Sequence, residues 1–307
     1  MTTNSQIKSL LFKTCSRIYP KKLKSKNLYL PKDKSAIINF IRENRIIHAL
    51  SDWYLDAFLD DKVMYYLFRQ FKEESDLFQR QINDAIKQLL FQTKKPFAVI
   101  KTFSVYPHTA SDVDIVTKDE NEEKKIKTWL SKQRVENTLT TDVSHKVSWT
   151  DSEEVSPVFF WKNITKKTIK GQTIIVPNND LDVLIRLAHI PFELSLIRLG
   201  ELMHIFQVSK RVDWNRLKNE AKKNGWEQTF VRMTALLNGL HKKMYGKTFI
   251  AEKWANANNV TTPIYFPYKL SYSFLLTAVI EKCAWKKILG ARFIIRDRHL
   301  PWFTKMR

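Results

Sequence analysis

Glycine is scarce in this chain, with 6 residues in 307. A glycine-rich phosphate loop needs several of them in one short segment, so a Walker loop and a dinucleotide-binding turn are excluded. Cysteine is scarcer still. Cys15 and Cys283 stand at no zinc spacing and make no disulfide framework, which suits a reducing compartment and implies a cytoplasmic protein. Long apolar runs are missing too. The longest apolar-leaning stretch, Leu270 to Ile280, falls well short of the roughly 20 residues that span a bilayer. The start, Met1 to Lys8, lacks the charged and apolar parts of a secretory signal. Histidines are few, and neither His189 nor His204 has a His or Cys partner at metal spacing. Both read as packed helix residues, with a place in a nucleotide cleft as the lesser alternative for His189. His48 and His145 read as structural.

What the chain does have is positive charge and apolar mass. Lys and Arg number 52 against 31 Asp and Glu, giving a net charge of +21 and a pI near 9.8. Such a field draws polyanions, nucleic acid first and an anionic membrane surface second. Apolar residues make up 44% and aromatics 12%, enough for a folded chain with a sizeable core. Bases and aromatics interleave from Trp285 to Arg307. That pattern suits single-stranded nucleic acid, an amphipathic membrane-surface helix, or a docked helix with its bases in solvent.

The chemistry concentrates in one short segment. Asp112 and Asp114 sit one residue apart at the start of an apolar run, Val113 to Thr117. On a strand, alternate side chains share a face, so the two carboxylates stand together while Val113 and Ile115 point the other way. Paired carboxylates repel unless a cation lies between them, and Mg²⁺ is held by one or two such groups plus substrate phosphates. Phe97 to Ile100 reads as a buried strand before the pair, and Glu120 to Lys132 as a charged helix after it. Thr138 to Trp149 is β-rich, and its alternation puts Asp142 on one face with Thr140 and Ser144, a third carboxylate within reach of the pair.

The segments Ile100–Thr102, Tyr106–Pro107, Ser111–Val116 and Asp142–His145 together resemble the nucleotidyltransferase superfamily of polymerase-beta type, and more closely its uncharacterised prokaryotic nucleotidyltransferases. A looser likeness continues through Asp180 to His189 and Val212 to Leu217, so that it spans roughly residues 90 to 245. The resemblance implies transfer of a nucleotidyl group from a nucleoside triphosphate such as ATP, with two Mg²⁺ ions held by Asp112, Asp114 and Asp142. Asp142 would be the third acid and a base. Many members carry a Gly-Ser pair before the two acids to hold the triphosphate. None stands between Lys95 and Asp114 here. Triphosphate contacts then fall to Lys101, Thr102, Ser104, His108 and Ser111, with Lys101 stabilising phosphate charge.

The expected fold is α+β: a small mixed sheet of nucleotidyltransferase type with flanking helices, plus helical N- and C-terminal segments. Residues 1–92 form a basic lead-in and a helical N-terminal subdomain, 93–177 the α/β core, and 178–307 a helical C-terminal domain with a basic aromatic tail. Four helices are expected between Lys34 and Gln92: one over Ile37 to Leu50, one around Trp53 to Leu59, one around Met64 to Phe71, and one opening at Ser75. Val158–Trp161 and Thr173–Val176 are predicted strands around a lysine-rich turn ending at Gly171. Pro177 to Asp180 caps a helix to His189. Phe192–Val208 is one further helix. Asp213 caps the next, which Gly225 ends, and Trp226–Tyr245 follows.

The favoured acceptor is RNA, tRNA included, on the strength of the charge, with a protein hydroxyl or a small molecule as alternatives. Two other readings stand beside it. One is a degenerate nucleotidyltransferase that binds nucleotide or nucleic acid without turnover. The other is a membrane-surface protein of envelope or glycan metabolism whose tail binds anionic lipid.

Overall fold

A central five-stranded sheet carries the site. The strands come, in chain order, from Phe97–Ile100 (β1), Asp112–Thr117 (β2), Thr140–Ser144 (β3), Ile164–Ile169 (β6) and Gln172–Pro177 (β7). Between β3 and β6, Val147–Trp149 (β4) and Ser152–Val155 (β5) pair as a separate hairpin. The computed structural model describes residues 35–49, 62–93, 95–106, 110, 112–132, 140–149, 152–258, 260 and 264–284. The sheet order is β3-β2-β1-β7-β6. The β1–β2 and β6–β7 pairs are antiparallel, while β2–β3 and β1–β7 are parallel, so the sheet is mixed. All four residues of β1 are buried, as an uninterrupted apolar run at the centre of a covered sheet should be. The β6–β7 hairpin turns through Lys170 and Gly171, both at positive φ (46° and 80°). Two successive left-handed residues match the right-handed twist of the strands they join.

Each face of the sheet is covered. On one side, Ile82, Ile86 and Leu89 of the helix Lys62–Gln92 (preceded by Ser35–Glu43, so α1 and α2) pack on Phe97, Val99, Val113, Ile115 and Val143. Ile126 of the helix Glu120–Lys132 (α3) joins them. Asp119 starts α3 by accepting from the Glu122 backbone N–H at 2.9 Å. On the other side, Ala98, Ile100 and Val116 meet Leu181, Leu184, Ile185 and Ala188 of the helix Asn179–His189. The helices Leu199–Val208, Trp214–Lys223, Glu227–Tyr245 and Tyr272–Ala284 extend that core. With Pro157–Lys162 as α4, Asn179–His189 is α5 and these four are α6 to α9 in chain order. Phe40, Ile41 and Ile46 of the N-terminal segment belong to the same apolar cluster. No helix among the described residues is long and apolar enough to cross a membrane.

Four expected elements differ. Ser75 does not open a helix: α2 runs unbroken for 31 residues, and Ser75 is buried in its middle, paired with His48 Nδ1. A tertiary partner for the hydroxyl outweighs its capping tendency. The stripe from Ile37 to Leu50 is broken at Asn44–Arg45, where Arg45 takes φ 55° and the buried Asn44 side chain accepts from Leu199 N. Val158–Trp161 is helical, within α4, because Ser156 accepts from Phe159 N as N-cap and Pro157 takes the first helical position. The run Phe192–Val208 is interrupted. Ile190–Leu194 is a π-turn closed by Ser195 at φ 54°, and Leu196–Ile197 (β8) pairs with Tyr268–Lys269 (β9) before α6 begins. The helix around Trp53–Leu59, the basic lead-in and the tail from Trp285 lie outside the described residues.

Candidate metal and phosphate site

The register of the sheet assembles the three acids. Asp114 stands opposite Asp142 on the parallel neighbour β3, and Asp112 opposite Thr140. Alternation along β2 buries Val113 and Ile115 toward α2 and turns Asp112 and Asp114 toward the face that α5 covers. One carboxylate oxygen from each of Asp112, Asp114 and Asp142 lies within 4.8 Å of the others. Such a spread suits a hard cation whose oxygen ligands sit about 2.1 Å from it, and three carboxylates are the donor set such ions take. Asp112 and Asp114 are half-buried and Asp142 is exposed.

Lys101 is aimed at this cluster. It follows β1 in the left-handed region, at φ 54°, and its Nζ lies 3.4 Å from Asp114 Oδ2. Burial opposes its charge, but Asp114, Glu193 and Asp112 outweigh that and hold its pKa above the ordinary lysine value. Burial lifts the Asp114 carboxyl above the usual range. Asp112 and Asp142 add to the rise, against the pull of Lys101 and His189.

The other expected phosphate contacts divide. Thr102 is buried, and its hydroxyl donates to Ile100 O at 3.0 Å while accepting from Asp114 N at 3.3 Å. These bonds pin β2 in place beside β1. Ser104 Oγ accepts from Arg186 Nη2 at 2.9 Å and lines a second cleft, with Lys167, Asn178 and His204, rather than the one beside Asp142. His108 and Ser111 lie outside the described residues.

On the helix that faces the acids, sequence reasoning weighed His189 but passed over Asp182, Arg186 and Glu193. Asp182, Arg186, His189 and Glu193 recur every three or four residues along α5 and the π-turn, so they share one side. That spacing was the available signal. Arg186 is 3% exposed. Its Nε donates to both Asp182 oxygens, at 3.1 and 3.2 Å, and its Nη2 to Lys101 O at 3.0 Å and Phe103 O at 3.4 Å. His204 closes the network, its Nε2 on Asp182 and its Nδ1 accepting from Val105 N at 3.0 Å. The loop that carries Lys101 is thus held through backbone atoms by one buried charge network. Burial works against an ionised Asp182, but Arg186 and His204 keep its pKa well below the carboxylate range. His204 is pushed down by burial and by Arg186.

His189 does reach the cleft. Its Nδ1 lies 2.7 Å from Glu193 Oε2 and 3.4 Å from Lys101 Nζ. The cleft measures about 310 Å³ and is lined by Lys101, Asp114, Asp142, Glu154, His189 and Glu193 among others. Lys127 and Lys146 also border it. Glu154, on β5, is 1% exposed, and its Oε1 has no hydrogen-bond partner among the described residues. No family model matches the chain, and no curated protein or solved structure matches it.

Proposed function

We propose that this chain is an Mg²⁺-dependent nucleotidyltransferase of polymerase-beta type, moving a nucleoside monophosphate from a nucleoside triphosphate to an acceptor hydroxyl. The observation that carries the reading is the register pair Asp114–Asp142 on adjacent parallel strands, with Asp112 beside it and Lys101 against Asp114. Asp112, Asp114 and Asp142 would hold the metal, two ions by the resemblance. When bound, magnesium neutralises triphosphate charge and makes the acceptor hydroxyl more acidic.

The chain's own groups do the rest. Lys101 places a positive charge beside the reacting phosphate, aimed by the left-handed backbone that Arg186 holds from behind. Lys127 and Lys146 offer cations for the remaining phosphates. The exposed carboxylate of Asp142 takes the acceptor proton and passes it to solvent. The acceptor oxygen bonds to the α-phosphorus, the bond from that phosphorus to the α–β bridging oxygen breaks, and the electron pair leaves with pyrophosphate.

The positive charge that favours RNA is concentrated at the two ends of the sequence. Residues 1–34 hold nine Lys and Arg against one Asp, and residues 285–307 hold seven against one. The cleft itself mixes both signs.

The test incubates the full chain with Mg²⁺ and each α-labelled nucleoside triphosphate over RNA, protein and small-molecule acceptors, beside an Asp112→Asn/Asp114→Asn variant. Label transferred by the wild type and lost in the variant supports the reading. Absence of any triphosphate binding by the wild type sinks it.

A further inference from the structure

Among the described residues that line the cleft, Glu154 is the one buried carboxylate that this mechanism leaves without a task. It lies on β5, in the wall of the same cleft as Asp114 and Asp142, and it is 1% exposed. Its Oε1 makes no hydrogen bond among the described residues. Buried carboxyl oxygens are rarely left so, because losing water without gaining a donor is costly, and such a group calls for an explanation. The nearby Lys282 ammonium is directed elsewhere, onto Glu153 O at 2.5 Å and Asn224 O at 3.3 Å. Trp226 donates to the Glu154 backbone carbonyl at 2.8 Å and so fixes the strand without touching the carboxyl.

A second carboxylate joins it. Glu193 lies in the π-turn Ile190–Leu194, a widened turn of the kind that often marks functional sites. Its side chain is 42% exposed and held by His189. Both glutamates line the same cleft, and burial together with the Glu193 charge pushes the Glu154 carboxyl up to about 8, against the pull of Lys282 and Lys101. Near neutral pH the wall therefore carries the charged Glu193 beside a Glu154 carboxyl that is mostly protonated, and phosphates are better placed against Lys101, Lys127 and Lys146. Neutral hydroxyl groups both donate and accept, so they can pair with the charged Glu193 and with a protonated Glu154 alike. At about 310 Å³ the cleft is at the small end of the range for ligand sites.

We propose that Glu154 and Glu193 form the acceptor subsite of this cleft, and that the acceptor is a small polyhydroxylated molecule, a sugar or polyol, rather than a nucleic-acid end. The inference rests on the nucleotidyltransferase reading above. One acceptor hydroxyl is presented to the α-phosphorus beside Asp142, and its neighbours hydrogen-bond to the two glutamates. Atoms balance as in the transfer already described: the acceptor loses a proton, gains the nucleotidyl group, and pyrophosphate departs.

The experiment uses the full chain and has three measurements. Calorimetry with Mn²⁺ and a non-hydrolysable triphosphate analogue reads the donor site. Saturation-transfer NMR with glucose, N-acetylglucosamine, myo-inositol and ribitol reads acceptor binding directly. Transfer of α-labelled triphosphate is then scored on those compounds and on total RNA. The expected result is a labelled small product, with Glu154→Gln losing the NMR signal and at least tenfold of the transfer while donor affinity shifts less than twofold. Glu193→Gln, at an exposed position that folding tolerates, weakens acceptor binding severalfold and keeps the test decisive if Glu154→Gln misfolds. The proposal is overturned by label in RNA to the same extent with and without Glu154→Gln, by a Glu154→Gln loss of donor affinity, or by no labelled compound from the panel with donor binding intact. If the wild type binds no donor, the nucleotidyltransferase reading itself fails.

Discussion

Replacing Arg186 by methionine removes a guanidinium and keeps most of the side chain's apolar length. The structure fixes what is lost. Asp182 loses both contacts from Nε, at 3.1 and 3.2 Å, and Lys101 O, Phe103 O and Ser104 Oγ lose the donor Nη2. Arg186 is 3% exposed, so water does not take its place. Removing one partner of a buried charge pair costs about 3–5 kcal/mol, because the other charge is left uncompensated. His204 limits the damage. It already touches Asp182, and without Arg186 one of the influences that depress its pKa is gone. The variant therefore has a higher His204 pKa, and the loss of stability shrinks on acidification as His204 takes up the compensating charge. Urea unfolding reads the magnitude. With a slope of about 3 kcal/mol/M or more for a chain of this size, the midpoint falls by roughly 1 M at neutral pH. Asp182→Asn/Arg186→Met costs less than the sum of the single variants, with a coupling of about 1–3 kcal/mol. A midpoint shift below about 0.3 M, or additive single variants, would refute the claim that one buried network holds the loop.

Three further outcomes follow from other parts of the structure. Asp114→Asn weakens Mn²⁺ binding by about tenfold or more, measured by paramagnetic resonance, because a direct ligand matters at least as much as the outer partners whose loss costs 10–100-fold. Unchanged affinity would remove Asp114 from the metal site. Between pH 4 and 2 the wild type loses stability that Asp182→Asn does not. A carboxylate whose folded pKa is depressed stabilises the fold above its unfolded value of about 3.9, and that contribution fades as pH falls toward the folded value. Acid titration of both proteins by circular dichroism checks this, and parallel curves would contradict it. Gly239→Ala destabilises α8 despite alanine's better helix propensity, since its Cβ would lie 2.3 Å from Asn258 O and 2.8 Å from Val260 Cγ2. Backbone cannot yield as a side-chain tip does, so overpacking of about 1–3 kcal/mol outweighs the gain of about 1. A raised melting temperature would show the contact to be soft.

The local rules were legible where a residue's neighbours along the chain decide its state. Val113 and Ile115 buried, with Asp112 and Asp114 on the opposite face, follows from strand alternation alone. The Asn178 and Asp213 caps and the turn at Gly171 are just as local, set by capping side chains and by glycine. The same local signals were present at Ser156–Pro157, where a cap and a helix-starting proline outweighed the apolar run that suggested a strand. Other features have no local cause. Ser75 looks like a cap and is a buried partner of His48, and the break after His189 rests on a π-turn followed by the β8–β9 pair. The sequence alone determined that two carboxylates would stand side by side on a strand. That Asp142 meets Asp114 was decided by a parallel register, and that Arg186 would hold Lys101 by helix α5 packing across the sheet. Periodicity tells which side of its own element a residue faces. Only the docking of one element on another tells what it faces there, and Glu154 acquires its isolation, and its interest, from that docking alone.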